Sequence, residues 1–95
     1  MRDAEATVSR DGGRLVFSGD LVQSAIAALW PRLPRHGDRI DAFDLTAVPR
    51  VDSAGVALLS WLLARHPAAT IIGAPAGLAG LRTAYRMDAR LAFAP

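Results

Sequence analysis

Few residues in this chain could carry out covalent or acid–base chemistry, and their spacing removes most of that chemistry. The first candidate is Ser53, which follows Asp52 in the run Arg50-Val51-Asp52-Ser53-Ala54-Gly55-Val56-Ala57-Leu58-Leu59. A serine nucleophile on a strained strand-to-helix elbow needs glycine both two residues before it and two after it. Gly55 meets the second requirement, but Val51 stands where the first glycine should be. A serine triad also needs a histidine to take the proton. The only two histidines, His36 and His66, fall in an expected loop and at an expected helix end, with nothing to pair them. They lack the H-x-x-x-H spacing of a metal-binding helix, and the chain has no cysteine to complete a thiolate site. All eleven basic residues are arginines, which excludes Schiff-base and general-base lysine chemistry. Gly73-Ala74-Pro75-Ala76-Gly77-Leu78-Ala79-Gly80 is glycine-rich but fits neither the dinucleotide fingerprint nor the phosphate loop with its Lys-Ser/Thr. The residues therefore predict no catalytic group, no cofactor and no metal.

The whole composition points towards a binding protein. Residues 1–95 are enough for one domain with a single core. The hydrophobic fraction of 52% and mean hydropathy of +0.23 are high for so small a chain, yet no stretch approaches the ~18–20 uninterrupted apolar residues that cross a bilayer. Surplus apolar surface of this kind predicts a protein partner and no direct membrane insertion. Met1-Arg2-Asp3-Ala4-Glu5 opens polar, with no apolar signal region after it, so a cytoplasmic location is expected. The pI near 10.4 invites a nucleic-acid reading, but the net charge is only +2 and the arginines are interleaved with nine carboxylates. Arg32, Arg35 and Arg39, and again Arg82, Arg86 and Arg90, read as solvated faces that cover apolar surface with their stems.

The elements that would position Ser53 follow from periodicity and punctuation. Two short extended runs between Ala6 and Phe17 flank Asp11-Gly12-Gly13 and predict a β-hairpin. Gly19-Asp20 breaks the second strand, with Asp20 as the expected N-cap of a first helix. Along that helix Val22, Ile26, Leu29, Trp30 and Leu33 recur at helical spacing until Pro31 and Pro34 end it near Trp30, and His36-Gly37-Asp38 forms the loop out. Arg39 to Thr46 reads as a central strand, apolar on both faces. Asp52-Ser53 caps a second helix running to about Arg65, ahead of Pro67. Ala69 to Gly73 is a short buried strand, making a parallel right-handed strand–helix–strand unit. Pro75 to Met87 predicts a third helix with Leu78, Leu81 and Tyr85 on one stripe, and Leu91-Ala92-Phe93 a last extended piece. The expectation is an α/β domain: a mixed sheet from an N-terminal hairpin plus parallel strands, covered by helices.

The second helix is apolar almost all round. Steps of about 100° per residue put Val56, Leu58, Leu59, Leu62 and Leu63 on a side that should cover the sheet. The other side carries Ser53, Ala57, Ser60, Trp61 and Ala64, small residues and one large aromatic without a charge. Such a patch has the composition of an interface core. Two outcomes are open: the third helix or the tail covers this side, or Trp61 stands exposed for a partner. Ser53 likewise has two readings, as a plain cap or as a regulated hydroxyl. A phosphate there would add roughly two negative charges, favourable at a helix N-terminus but costly in an apolar contact.

These residues also resemble a known family. The order of elements, Gly19-Asp20-Leu21, Asp44-Leu45-Thr46 and above all Val51-Asp52-Ser53-Ala54-Gly55-Val56-Ala57-Leu58-Leu59 are similar to the STAS domain of anti-sigma factor antagonists. In those antagonists the Ser after the Asp of an Asp-Ser-Ser-Gly-Leu-like motif is phosphorylated by a partner kinase. Ser53 occupies that place, and Ala54 replaces the second Ser. A closer likeness is to another branch, the STAS subunits of Mla-type phospholipid-transport ABC complexes, which maintain outer-membrane lipid asymmetry. That branch has a Val-Asp-Thr-(small)-Gly-Leu-Ala-Leu-Leu run, a Leu-Trp pair like Leu29-Trp30 and a tail like Leu91 to Pro95. Here Ser replaces the Thr, Val56 stands where Leu is usual, and Leu81 to Met87 matches only loosely. The resemblance implies a STAS-like, non-enzymatic subunit, cytoplasmic and peripheral to the inner membrane through its complex. Its partner would be the ABC-transporter ATPase subunit or, in the antagonist branch, an anti-sigma factor serine kinase. The implied binding and regulatory residues are Asp52, Ser53, Ala54, Gly55, Ala57, Ser60 and Trp61, with Ser53 as the phosphorylation site.

Overall fold

The computed structural model describes residues 6–34, 39–88 and 90–92. Strand β1 (Thr7–Asp11) turns at Gly12-Gly13 into β2 (Arg14–Ser18). The pair is antiparallel and in register from Thr7 opposite Ser18 to Asp11 opposite Arg14. Gly12, at φ 61°, takes the left-handed conformation that this two-residue turn requires. After β2 come α1 (Gln23–Leu29) and a 3₁₀ turn (Trp30–Arg32), then β3 (Ala42–Ala47), α2 (Ser53–Arg65), β4 (Thr70–Ile72) and α3 (Leu78–Ala84). The sheet order is β1-β2-β3-β4, with β2, β3 and β4 mutually parallel. The fold is thus α/β with a mixed four-stranded sheet and three helices, the class that the pattern of the sequence predicts.

Leu15 and Phe17 from β2, and Phe43 and Leu45 from β3, meet the leucines of α2 in one buried cluster that also holds Leu21, Leu29 and Leu91. The Phe17 and Phe43 rings pack edge to face at 6.4 Å. Asp44, the one carboxylate buried in β3, accepts hydrogen bonds from the Thr46 Oγ1 at 2.7 Å and the Thr46 amide at 2.9 Å, and lies 3.5 Å from Arg14. The Thr46 hydroxyl and amide, and then Arg14, hold its carboxyl below the ordinary value of 3.8, so it stays ionised although buried.

The parallel arrangement continues past the strands. Leu21 bridges Val51 and Arg50 bridges Ala76, through Leu21 N–H to the Arg50 carbonyl at 3.0 Å and Val51 N–H to the Ala76 carbonyl at 2.9 Å. These three segments are the ones that lead into α1, α2 and α3, so the helix starts converge at the carboxyl ends of the parallel strands, where α/β folds place their binding sites.

Several local expectations are corrected. Asp20 does not cap α1: the N-cap position is Val22, whose own side chain cannot cap, and the Asp20 carboxylate pairs with Arg50 at 2.8 Å. The third helix is two turns rather than more than three, because Gly77 enters it at φ 92° and Arg86 leaves it at φ 55°. A Cβ at Gly77 would fall 2.6 Å from the Val51 carbonyl, so this glycine is what allows the three bridged segments to close up. Pro75 lies before the helix, buried, rather than in its first turn. β4 is shorter than expected and is an edge, with Thr70 exposed and Ile71 and Ile72 half-buried. Leu91 joins no strand: at φ 57° it turns the chain and drops its side chain into the core. Residues 36–38 and Phe93 lie outside the described residues.

Candidate functional site

Helix α2 spans Ser53–Arg65, as its cap and the following proline predict. Its start is fixed by one side chain, Asp52. Oδ1 accepts the Gly55 amide of α2 at 3.0 Å, and Oδ2 accepts the Gln23 amide, the first residue of α1, at 3.0 Å. One carboxylate therefore caps two helices and locks their angle. Burial works against its ionisation, but the amides of Gln23, Gly55, Ala54 and Asp52 itself outweigh this and leave the carboxyl below 3.8.

Gly55 completes the joint. It is buried, and a Cβ there would come 2.1 Å from the Leu21 carbonyl oxygen, a distance that backbone cannot relieve without moving α2. Asp52 and Gly55 are thus parts of the scaffold: the first spends both carboxylate oxygens on helix caps and the second offers no side chain to a partner. Ser53 begins α2 with its side chain exposed, and Ala54 is half-buried behind it.

On α2 the two sides separate as the helical wheel predicts. Val56, Leu58, Leu59, Leu62 and Leu63 are all buried, none more than 4% exposed. Ser53, Ala57, Trp61 and Ala64 are exposed. Of the two expected fates for this outer side, coverage by α3 or the tail is realised, among the described residues, at Ser60, whose Oγ donates to the Leu91 carbonyl at 2.7 Å. Trp61 keeps 39% of its surface exposed.

The structure adds two residues that the periodicity of the sequence assigns elsewhere. Trp30, expected on the core stripe of α1, is 52% exposed and stacks on Trp61 with ring centroids 4.9 Å apart. Tyr85, expected on the core stripe of α3, is 42% exposed just beyond that helix. Both sit where a helix stops, Trp30 ahead of Pro31 and Tyr85 ahead of the left-handed Arg86, so an angle extrapolated along the helix no longer says where the ring goes. The position of each beside a helix breaker is the signal that would have found them. Trp30, Trp61 and Tyr85 are the exposed large hydrophobic residues among those described. They flank two shallow grooves on either side of α2, one running past Ile26, Ala54 and Ala57 to the tryptophan pair, the other past Ser53, Ala57 and Met87 to Tyr85. The Arg65 guanidinium lies 4.6 Å over the Trp61 ring and closes the C-terminal end of this surface.

Chemically the surface suits binding. Ser53 and His66 stand at opposite ends of α2, roughly 20 Å apart at 1.5 Å per residue, so they cannot share a proton. His66 is buried with its ring edge-on to Phe43. His36 lies outside the described residues, and among those described no group of three or more His, Asp or Glu side chains could hold a metal. No described helix is long and apolar enough to cross a membrane. Neither protein-family models nor curated proteins yield a match to this chain.

Proposed function

We propose that this chain is a non-enzymatic docking subunit of the STAS kind, closest to MlaB, that binds the ATPase of an Mla-type ABC transporter through the outer face of α2. In that role it supports the ATPase and, through it, phospholipid trafficking and outer-membrane lipid asymmetry, from the cytoplasmic side and peripheral to the inner membrane. The observation that carries the reading is the gathering of Trp30, Trp61 and Tyr85 around a stripe of small side chains that starts at Ser53. Aromatic anchors around a flat uncharged centre are the pattern of residues that dominate binding energy at protein interfaces. The Asp52–Gly55 joint holds the stripe rigid, so little conformational freedom is lost on docking.

Co-purification with such an ATPase tests the proposal. Ser53→Arg and Trp61→Glu should each abolish capture while circular dichroism stays that of the parent; undiminished capture by both folded variants would remove this face from consideration. A second reading, an anti-sigma factor antagonist, is favoured by the exposed Ser53 hydroxyl at the first position of α2. There a kinase would add phosphate to Ser53 and a phosphatase would reverse it. Incubation with a cognate kinase and ATP, followed by intact mass, separates the two: a phosphate on Ser53 supports the antagonist, its absence the transporter subunit.

A further inference from the structure

A cavity of about 570 Å³ lies between β4 and α3, and none of Trp30, Trp61 or Tyr85 lines it. Its size is that of a small-molecule site, for which roughly 300–1,000 Å³ is usual. Leu63, Ile71, Leu78 and Leu91 give it apolar walls. The turn from Gly73 to Gly80, which as a motif matches no nucleotide loop, has a structural consequence here: apart from Leu78 it presents only glycine, alanine and proline to the cavity, so its wall is backbone and methyl groups.

Two arginines line the same space, and they differ. The Arg90 guanidinium is already committed, donating to the carbonyls of Ala69, Leu63 and His66 and so capping the C-terminal end of α2. Arg82 is exposed and makes no hydrogen bond and no ion pair within 4 Å among the described residues. Asp88 feels its charge at longer range, and Oδ1 of Asp88 is taken by the amides of Arg90 and Ala92. An apolar cavity with one uncommitted cation at its wall calls for an apolar body that carries one negative charge.

We infer that the β4–α3 cavity is a binding site for a small amphiphilic carboxylate, whose chain lies against Leu63, Ile71, Leu78 and Leu91 and whose carboxylate meets Arg82. The site is separate from the α2 face and independent of what docks there.

Decanoate is the probe, followed by amide chemical shifts of the full chain, with decanol as the uncharged control. Decanoate should move the amides from Gly73 to Gly80 in a saturable way, and decanol should bind about tenfold more weakly or worse, the loss expected for one charged hydrogen-bonding pair. Arg82→Gln should bring decanoate down to the level of decanol. Gly80→Leu should abolish binding, because a Cβ at Gly80 meets nothing within 4 Å and a longer side chain can grow into the cavity it lines. That variant replaces a helical glycine with a strong helix former, so its melting temperature should rise and lost binding cannot be blamed on unfolding. The inference is overturned by an absence of shifts, by equal affinity for decanol, by undiminished binding in Gly80→Leu, or by shifts that track protein concentration without ligand, which would put a second copy of the chain in the cavity.

Discussion

The two sides of α2 are almost equally apolar in composition and have opposite fates. Val56, Leu59 and Leu62 are 0% exposed against the sheet, while Ala57 and Ala64 lie open to solvent and Trp61 is 39% exposed. What distinguishes them is side-chain size and what stands opposite. Branched chains fill the space over Phe17, Phe43 and Leu45, whereas the outer side carries mostly small residues that fill little and one ring whose neighbours, Trp30 and the Arg65 guanidinium, lie at the surface with it. Apolar character in a small domain therefore marks two different things, a finished core and an unfinished surface, and they can share a helix.

The largest test of this contrast is on the core side. Leu59→Ala should cost about 3 kcal/mol of folding stability, read from the urea midpoint, because a fully buried leucine leaves both a lost transfer energy and a cavity. A cost below about 1 kcal/mol would mean that this side is as loosely held as the other.

A smaller effect is expected at the joint that orients both sides. Asp52→Ala should cost about 2 kcal/mol, the upper end for a cap, since two helix starts lose their acceptor. The carboxyl titrates below 3.8 in the folded chain, so the folded state binds fewer protons than the unfolded one. Stability is then complete above the ordinary carboxylate range and falls as pH drops through it. Asp44 and Asp88 are shifted in the same direction, so Asp52→Ala should lessen the acid loss of stability without removing it. An unchanged pH profile between pH 5 and 2, judged at roughly the range where carboxylates titrate, would show that Asp52 is not ionised by its caps.

The smallest effect belongs to the outer side. Trp61→Ala should cost about 1 kcal/mol or less, the worth of one half-exposed aromatic stack on Trp30. It should also remove the far-ultraviolet circular dichroism couplet of the two stacked indoles. A loss as large as that of Leu59→Ala would break the contrast and make the outer side a piece of core.

Much of the frame was legible in the residues. Asp11-Gly12-Gly13 announces the hairpin, Asp52 and Pro67 bracket α2, and the leucine stripe names the buried side. Local punctuation acts through the backbone torsions of the residues concerned, so it can be read locally. The errors share a cause too. Asp20 has the right chemistry for a cap, but Arg50, thirty positions away in sequence, comes close enough to take its carboxylate, while Asp52, twenty-nine positions from Gln23, arrives to cap α1 instead.

By itself, then, the sequence determined the class of fold, the limits of α2 and which of its sides is buried, because periodicity and capping are properties of neighbouring residues. Only the tertiary structure decided which carboxylate caps which helix, that Leu91 is core and Ser60 covered, and that Trp30 and Tyr85 join Trp61 around one face. Each of those outcomes depends on segments far apart in the chain meeting, the caps at the carboxyl ends of the strands and Ser60, Leu91 and the tryptophan pair farther along α2, and no local rule assigns such partners.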